Sequence, residues 1–597
     1  MAKESIRNME RLSGVGASPG IAIGKGHVLG SRVDVHERRI AVDAVGAEIT
    51  RFEAAIQHTD AQLAAIQDEI AAREHDSHQY RILEAHRMML QDVHLVEVAR
   101  KIIRDDHTGA EWAVRKALDQ IQAVFDRIED PYFRDRRSDI AVVGERLLRN
   151  LLGMVQSNPA DAPKGSVTLA HDLAPADAAQ LGRAGVAGFC TEGGGRTSHT
   201  AIVSRAMGLP YVVGVEGLDH KTWSGMNLIV DGTRGEVILE PDEATLKLYR
   251  ARADRQHARA ERLGALRDTP AETKDGVRIE LAANVELMEE IAPSFELGAQ
   301  AVGLFRTEFL YLERPDLPTE EEQYGHAVAA LKSAAGKTIT FRTLDLGGDK
   351  MPVSVRMPSG QNPSLGLRSI RFSFHRPDVF RTQLRALFRA AAEGPVKIMF
   401  PLISGVAELR MARTICQEVC ADLRREGIPH NPEVPLGVMV ETPSAALISD
   451  LLARECEFLS IGTNDLIQYS LAADRENEHV GYLYHPLHPA IIRALKQIVV
   501  GAASARGDVP VAMCGDMAGD PMLVLVLLGL GLRHLSMAPR QIPILKSLIR
   551  ACTIAEAEKL AAQALSLATE AEVENLVYNV MYDRFSAELV DEEDDAA

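Results

Sequence analysis

Glu192-Gly193-Gly194-Gly195-Arg196-Thr197-Ser198-His199-Thr200-Ala201-Ile202-Val203 joins an apolar run at 185–189 to a second one that ends near Gly208-Leu209-Pro210. The first run reads as a strand and the second as a helix, so the segment is a strand–loop–helix unit of an α/β domain. Successive glycines let a backbone approach a ligand closely and reach positive φ without a Cβ clash. Thr197 or Ser198 can cap the helix. His199 then falls in its first turn, where free N–H groups and the positive dipole end favour an anion. A histidine so placed can carry a phosphoryl group. A histidine at a helix start is also often a cap or a plain surface residue, and these residues alone leave both readings open.

The chain has 597 residues, room for three or four domains that each bury a core. Its 46% hydrophobic and 25% charged residues are globular values. A net charge of −18 argues against a non-specific nucleic-acid binder, because no basic excess exists to neutralise phosphates. No run approaches the roughly 18 uncharged apolar residues of a membrane span, and the N-terminus lacks the apolar centre of a signal peptide. The six cysteines (190, 416, 420, 456, 514 and 552) form no disulfide framework, and the compartment reads as cytoplasmic. Cys416 and Cys420 share a helix face without partner ligands nearby, which favours core packing over zinc.

Around this segment the chain divides by pattern. Gly14, Gly16 and Gly20 miss the GxGxxG spacing, so residues 12–26 read as a glycine-bent strand and not as a nucleotide loop. Residues 42–152 carry helical periodicity in four stretches, 42–73, 79–105, 110–129 and 135–152, which predicts a four-helix bundle inserted in the α/β domain. Within it Met88 and Leu90 read as core. The α/β domain comprises 1–41 and 153–241. Residues 242–270 form a charged linker helix, polar over most of its faces as in a solvated connector.

Eight apolar runs follow, at 277–283, 302–306, 338–342, 396–400, 437–441, 458–462, 511–514 and 534–536, with helical patterns between them. Eight alternations predict a TIM (β/α)8 barrel over 271–588, with its chemistry at the C-terminal strand ends. Arg306, Arg342, Glu441, Asn464-Asp465 and Cys514 close different runs, which gathers them at one mouth. Arginine forks, here Arg306, Arg342 and Arg475, suit a ligand that carries a phosphate and a carboxylate. Glu441 and Asp465 are hard oxygen donors suited to Mg²⁺ completed by substrate and water; Asp465 can equally cap a helix. Cys514 can be a buried hydrophobe or, beside glycine at a strand end, a proton donor. The acidic tail, 589–597, reads as disordered.

Gly194-Gly195-Arg196-Thr197-Ser198-His199-Thr200-Ala201-Ile202 resembles the phosphohistidine signature of the phosphoenolpyruvate-utilising enzymes. The barrel motifs around Arg306, Arg342, Arg368, Glu441, Asn464 and Cys514 are similar to those of the Enzyme I family within that group, over nearly the whole chain and in one order. Asp516 replaces a glutamate common there, a minor departure. The resemblance implies a swivelling phosphohistidine domain, with His199 taking phosphate from phosphoenolpyruvate on Nε2. It implies that Arg306, Arg342, Asn464, Asp465 and Arg475 bind phosphoenolpyruvate, that Glu441 and Asp465 hold Mg²⁺, and that Cys514 protonates the enolate to pyruvate. It also implies a helical insert that docks the histidine phosphocarrier HPr, and a homodimer formed through the barrel. The dikinases and synthases of the same group need an ATP-binding domain for which this chain has no segment. Two alternatives stay open here, a nitrogen-branch paralogue and a non-catalytic regulatory homologue.

Overall fold

The runs at 166–170 and 185–189 become neighbouring parallel strands, β4 (Val167–Ala170) and β5 (Gly188–Thr191), in the computed structural model. The structure describes residues 9–29, 35–71, 78–90, 92–125, 140, 143–153, 159–173, 175–195, 198–218, 223–312, 314, 316–347, 362–475, 477, 479–506 and 509–589. The acidic residues 590–597 and Arg137-Ser138-Asp139 lie outside them. Two compact units divide the chain, 1–258 and 259–597.

The first unit is built on an eight-stranded sheet of order β1-β8-β7-β3-β4-β5-β6-β2. Its other members are β1 (Glu10–Ser13), β2 (Val15–Ser18), β3 (Ile21–Val28), β6 (Tyr211–Val213), β7 (Asn227–Asp231) and β8 (Glu236–Leu239). The glycine-rich N-terminus is thus strand, as its failed loop spacing predicts. β3, β4, β5 and β6 run parallel and the flanking pairs antiparallel.

Between β3 and β4 come the helices α1 (Val45–Ala71), α2 (His78–Leu90), α3 (Val93–Asp106), α4 (Ala110–Phe125) and α5 (143–151). Among the described residues five helices stand where four are expected, because 79–105 is broken. The Asp92 carbonyl accepts from Val96 N at 3.0 Å and so starts α3, a helix-start position that aspartate favours. Leu90 is fully buried as expected, but Met88 is 65% exposed on α2. Apolar character at helical spacing does not by itself say which flank of the apolar stripe meets a neighbour.

Between β4 and β6 the chain forms α6 (Pro175–Ala184) and α7 (His199–Ala206), one after each parallel strand. The linker helix, α8 (Glu243–Gly264), is less solvated than its composition suggests. Thr245, Tyr249 and Arg252 are buried, and the Tyr249 hydroxyl donates to Glu236 at 3.0 Å.

The second unit closes eight parallel strands into the expected barrel: β9 (Glu280–Val285), β10 (Val302–Arg306), β11 (Ile339–Arg342), β12 (Val396–Phe400), β13 (Leu436–Val440), β14 (Phe458–Ile461), β15 (Val511–Met513) and β16 (His534–Met537). β9 starts three residues later than the 277–283 run, because Val277 is spent on a turn in which its N–H donates to Thr273 Oγ1 at 3.1 Å. Leu304, Met399, Met439, Phe458 and Cys514 pack together inside the barrel. Phe458 fits under Gly437, where any Cβ would overlap its ring. Cys416 and Cys420 are buried core. No helix among the described residues is long and apolar enough to cross a membrane.

Candidate active site

The sequence-predicted site residues fall at two places, one in each unit. In the first, the glycine loop leaves the carboxyl end of β5, the end at which open α/β sheets bind ligands. Of the three glycines only Gly194 adopts positive φ, at 98°. Gly193 N donates to His171 O at 2.8 Å, and Thr191 Oγ1 to Gly193 O at 2.7 Å, which fixes the loop's base. Ser198, rather than Thr197, is the N-cap of α7, its hydroxyl accepting from Ala201 N at 3.2 Å. His199 is the first residue of that helix. The His199 side chain, Arg196 and Thr197 lie outside the described residues. His171 Nδ1 meets Glu192 Oε2 at 2.6 Å beside the loop.

The second place is the C-terminal rim of the barrel. Arg306 and Arg342 end adjacent strands and are cross-strand partners in register. Glu441, Gly462 and Cys514 each follow the last residue of β13, β14 and β15. Parallel strands ending in step bring these groups together, as the sequence predicts. Arg342 Nη2 lies 3.1 Å from Glu308 and Nη1 2.9 Å from Asp345. Arg306 pairs with Glu286. Asn464 and Asp516 exchange two bonds of 2.9 Å, Asn464 Nδ2 donating to the Asp516 carboxylate and Asp516 N donating to Asn464 Oδ1. Arg475 is exposed and meets the Tyr484 hydroxyl, which in turn donates to Asn464 O at 3.3 Å.

Arg368 is the main group that strand-end reasoning misses. Its Nη2 sits 2.9 Å from Asp345 and 3.2 Å from Asp465, and its Nη1 donates to Tyr469 at 3.2 Å. It follows a loop and precedes a helix, so no strand run points to it. Its neighbour Ser369 is fully buried at φ 55°, a conformation rare outside glycine, and donates to Asp345. Glu308 and Asp345 likewise carry no signal of periodicity.

Burial alone would raise Asp345, but Arg342 and Arg368 hold it well below the usual carboxylate range. Glu441 goes the other way: burial, then the nearby Asp345 and Asp465, push it well above its ordinary value. Burial pushes the Cys514 thiol up to about 11, so it keeps its proton at neutral pH. Among the described residues, Arg306 Nε, Arg342 Nε, Glu308 Oε2 and Asp465 Oδ2 are buried and take part in no hydrogen bond. Buried polar atoms are normally satisfied, so these four atoms leave capacity for further partners, although Asp465 Oδ2 already faces Arg368 Nη2 at 3.2 Å.

A divalent cation fits that capacity. Glu441 and Asp465 offer hard oxygens, and crowding of carboxylates around Glu441 is what a cation would relieve. Among the described residues no three or more His, Cys, Asp or Glu side chains cluster as a cage. Two protein carboxylates with substrate and water completing the shell is the pattern usual for Mg²⁺.

A closed parallel barrel with an arginine–carboxylate rim at its C-terminal strand ends is the arrangement of an enzyme whose site suits a small anionic ligand. Three family profiles match the chain: the PEP-utilising enzyme PEP-binding domain over 260–554, the N-terminal domain over 13–136 and the mobile domain over 162–235. The chain is 41% identical over 573 residues to the phosphoenolpyruvate-protein phosphotransferase of Priestia megaterium, covering 96% of this chain and 99% of that one. It is 41% identical over 578 residues to that of Listeria monocytogenes serovar 1/2a (97% and 99%), and 40% over 565 residues to that of Bacillus subtilis strain 168 (95% and 98%). The chain belongs to the phosphoenolpyruvate-utilising enzyme family.

Proposed function

We propose that the chain is a phosphoenolpyruvate–protein phosphotransferase, which moves the phosphoryl group of phosphoenolpyruvate to His199 and then to a histidine of an HPr-type carrier, the first step of the sugar phosphotransferase system. The observation that carries this reading is the pair of in-register arginines, Arg306 and Arg342, whose buried Nε–H groups make no hydrogen bond, at a rim that also holds Glu441 and Asp465. Arg306, Arg342, Asn464, Asp465 and Arg475 bind the substrate's phosphate and carboxylate, and Glu441 with Asp465 holds Mg²⁺. The metal, when bound, neutralises phosphate charge and favours the enolate.

In the first half-reaction the enol P–O bond breaks as a P–N bond forms to His199 Nε2. The enolate electron pair at the methylene carbon then takes the Cys514 proton. Pyruvate leaves, and water returns a proton to the thiolate. A thiol held at about 11 is protonated in nearly every molecule at neutral pH, as a donor must be. Positioning and charge neutralisation supply most of the acceleration. In the second half-reaction the carrier docks on the helical insert (42–152), where Glu84 and Met88 stand exposed one turn apart on α2. The α/β domain (1–41 and 153–241) swivels on the linker (242–270) between the carrier and the barrel (271–588). Leu447, Leu451 and Val500, exposed on helices that pack together, support a homodimer formed through the barrel.

Incubation with ³²P-labelled phosphoenolpyruvate and Mg²⁺, with and without purified HPr, tests the scheme. Acid-labile label on His199 that passes to HPr is expected. His199→Ala takes up none, and chelation of Mg²⁺ abolishes labelling of the wild-type chain. Undiminished labelling of His199→Ala refutes the assignment of the acceptor.

A further inference from the structure

We propose that Asn284 is the positioning residue that holds Cys514 against one face of the enolate. The proposal rests on Cys514 as the proton donor. The ladder between β15 and β16 ends at Met513 paired with Leu535, one residue short of Cys514. On the side of β14, the Cys514 N–H donates to Ile461 O at 3.0 Å, which continues the sheet. Its carbonyl is taken up differently. Asn284 lies on β9, two strands away, and its Nδ2 donates to Cys514 O at 2.9 Å.

That amide is itself fixed. Ser536 on β16 donates from Oγ to Asn284 Oδ1 at 2.7 Å, so the amide nitrogen is committed to the cysteine carbonyl. Ser536 has room because β10 places Gly303 opposite it, where any Cβ would overlap the hydroxyl. Three strands thus meet in one hydrogen-bonded chain, Ser536 to Asn284 to Cys514, with β10 leaving room for it, which is a large commitment of structure to one carbonyl. Behind it lies a cavity of about 330 Å³, lined by Asn284, Gly515 and Asp516 among others. On that side the Asn284 bond restrains the backbone of the strand end, while the thiol packs among Leu304, Met399, Met439 and Phe458 and donates to Ile461 O at 3.7 Å. On the other side Gly515 sits so close to Thr463 that any Cβ would overlap its hydroxyl.

A proton donor acts only within a narrow range of positions, and a misplacement of about 1 Å costs on the order of 10²-fold. A carbonyl freed at residue 514 lets the thiol drift toward the cavity, and water then competes as donor. The sign of this failure is loss of facial selectivity, which a merely structural lesion elsewhere in the barrel does not cause.

Phosphoenolpyruvate stereospecifically tritiated at its methylene carbon, turned over in D₂O, yields pyruvate whose methyl group holds three hydrogen isotopes. The methyl configuration reports the face that was protonated. The wild-type chain is expected to give one configuration. Asn284→Ala and Asn284→Asp are expected to give a mixture, with pyruvate release slowed by roughly 10- to 100-fold and KM for phosphoenolpyruvate unmoved. The aspartate variant keeps the shape and the Ser536 bond but sets an oxygen against the Cys514 carbonyl, which separates the hydrogen bond from packing. Ser536→Ala, a milder lesion, gives a partial mixture. A single configuration in the Asn284 variants overturns the proposal. Cys514→Ala is run alongside: a mixture there together with a single configuration in the Asn284 variants removes only the positioning role. A single configuration in Cys514→Ala removes the proton-donor reading and the proposal with it.

Discussion

Arg368 shows what one residue can hold together. Its guanidinium is shared between Asp345 and Asp465, with side chains only 18%, 5% and 12% exposed respectively. Removing the shared cation leaves two buried carboxylates facing Glu441 with less to balance them. Breaking a buried ion pair from one side costs about 3–5 kcal/mol. Arg368→Ala is therefore expected to lower the barrel's stability by about 3 kcal/mol in a denaturant titration, and to raise KM for phosphoenolpyruvate. An unchanged midpoint would mean that solvent already screens this cluster. The sequence makes the strand-end residues legible because a strand that stops in a polar residue has a known place in a parallel barrel. Arg368, which the sequence marks only through a motif of the resemblance, and Asn284 escape strand-end logic. One sits between a loop and a helix, and the other is a small polar residue whose role depends on a strand more than two hundred positions away.

At the level of elements, the barrel strands follow from apolar runs of the right length, and seven of the eight begin within one residue of the expected place. The bundle is less legible because helix breaks depend on local competition, as at Asp92, and apolar spacing does not fix which face is covered. The end of the linker shows another contact that pattern reading cannot supply. Lys546 is 3% exposed, and its ammonium donates to Leu266 O, Arg267 O and Gly298 O at 3.3, 2.8 and 3.4 Å. Burial pushes its pKa down, with no carboxylate in the cluster of contacts to offset this fully. Lys546→Met removes the donor and leaves those carbonyls unsatisfied, at roughly 1–3 kcal/mol. Faster amide exchange at residues following the linker helix, with a lower denaturation midpoint, is the expected result; an unchanged midpoint would assign the contact no net value.

Across the whole molecule, the two ends of the barrel have different electrostatics. The C-terminal rim holds buried polar atoms that make no hydrogen bond, while at the N-terminal end Glu280 meets His534 at 2.9 Å, which with a smaller contribution from Lys397 lowers the Glu280 pKa from 4.5. A depressed carboxylate contributes stability above its unfolded pKa and loses it as the pH falls through the lower folded value. The difference in Tm between the wild-type chain and Glu280→Gln is therefore expected to be present at neutral pH and to close below about pH 4. A gap that persists into acid would place the effect in packing. The division of the chain by pattern was legible because bundle, sheet and barrel have different periods, 3.6 within one, 2 within another, alternating in the third. Strand order was not, since β3 and β4 are adjacent and parallel although the entire bundle lies between them. That adjacency has an evolutionary meaning. Gly26–Val28 and 167–169 lie side by side in parallel, so the segment between them leaves at one end of this short paired stretch and rejoins at the other, a crossover on neighbouring strands. A lineage can lengthen, shorten or replace such an insert without redrawing the strands that flank it.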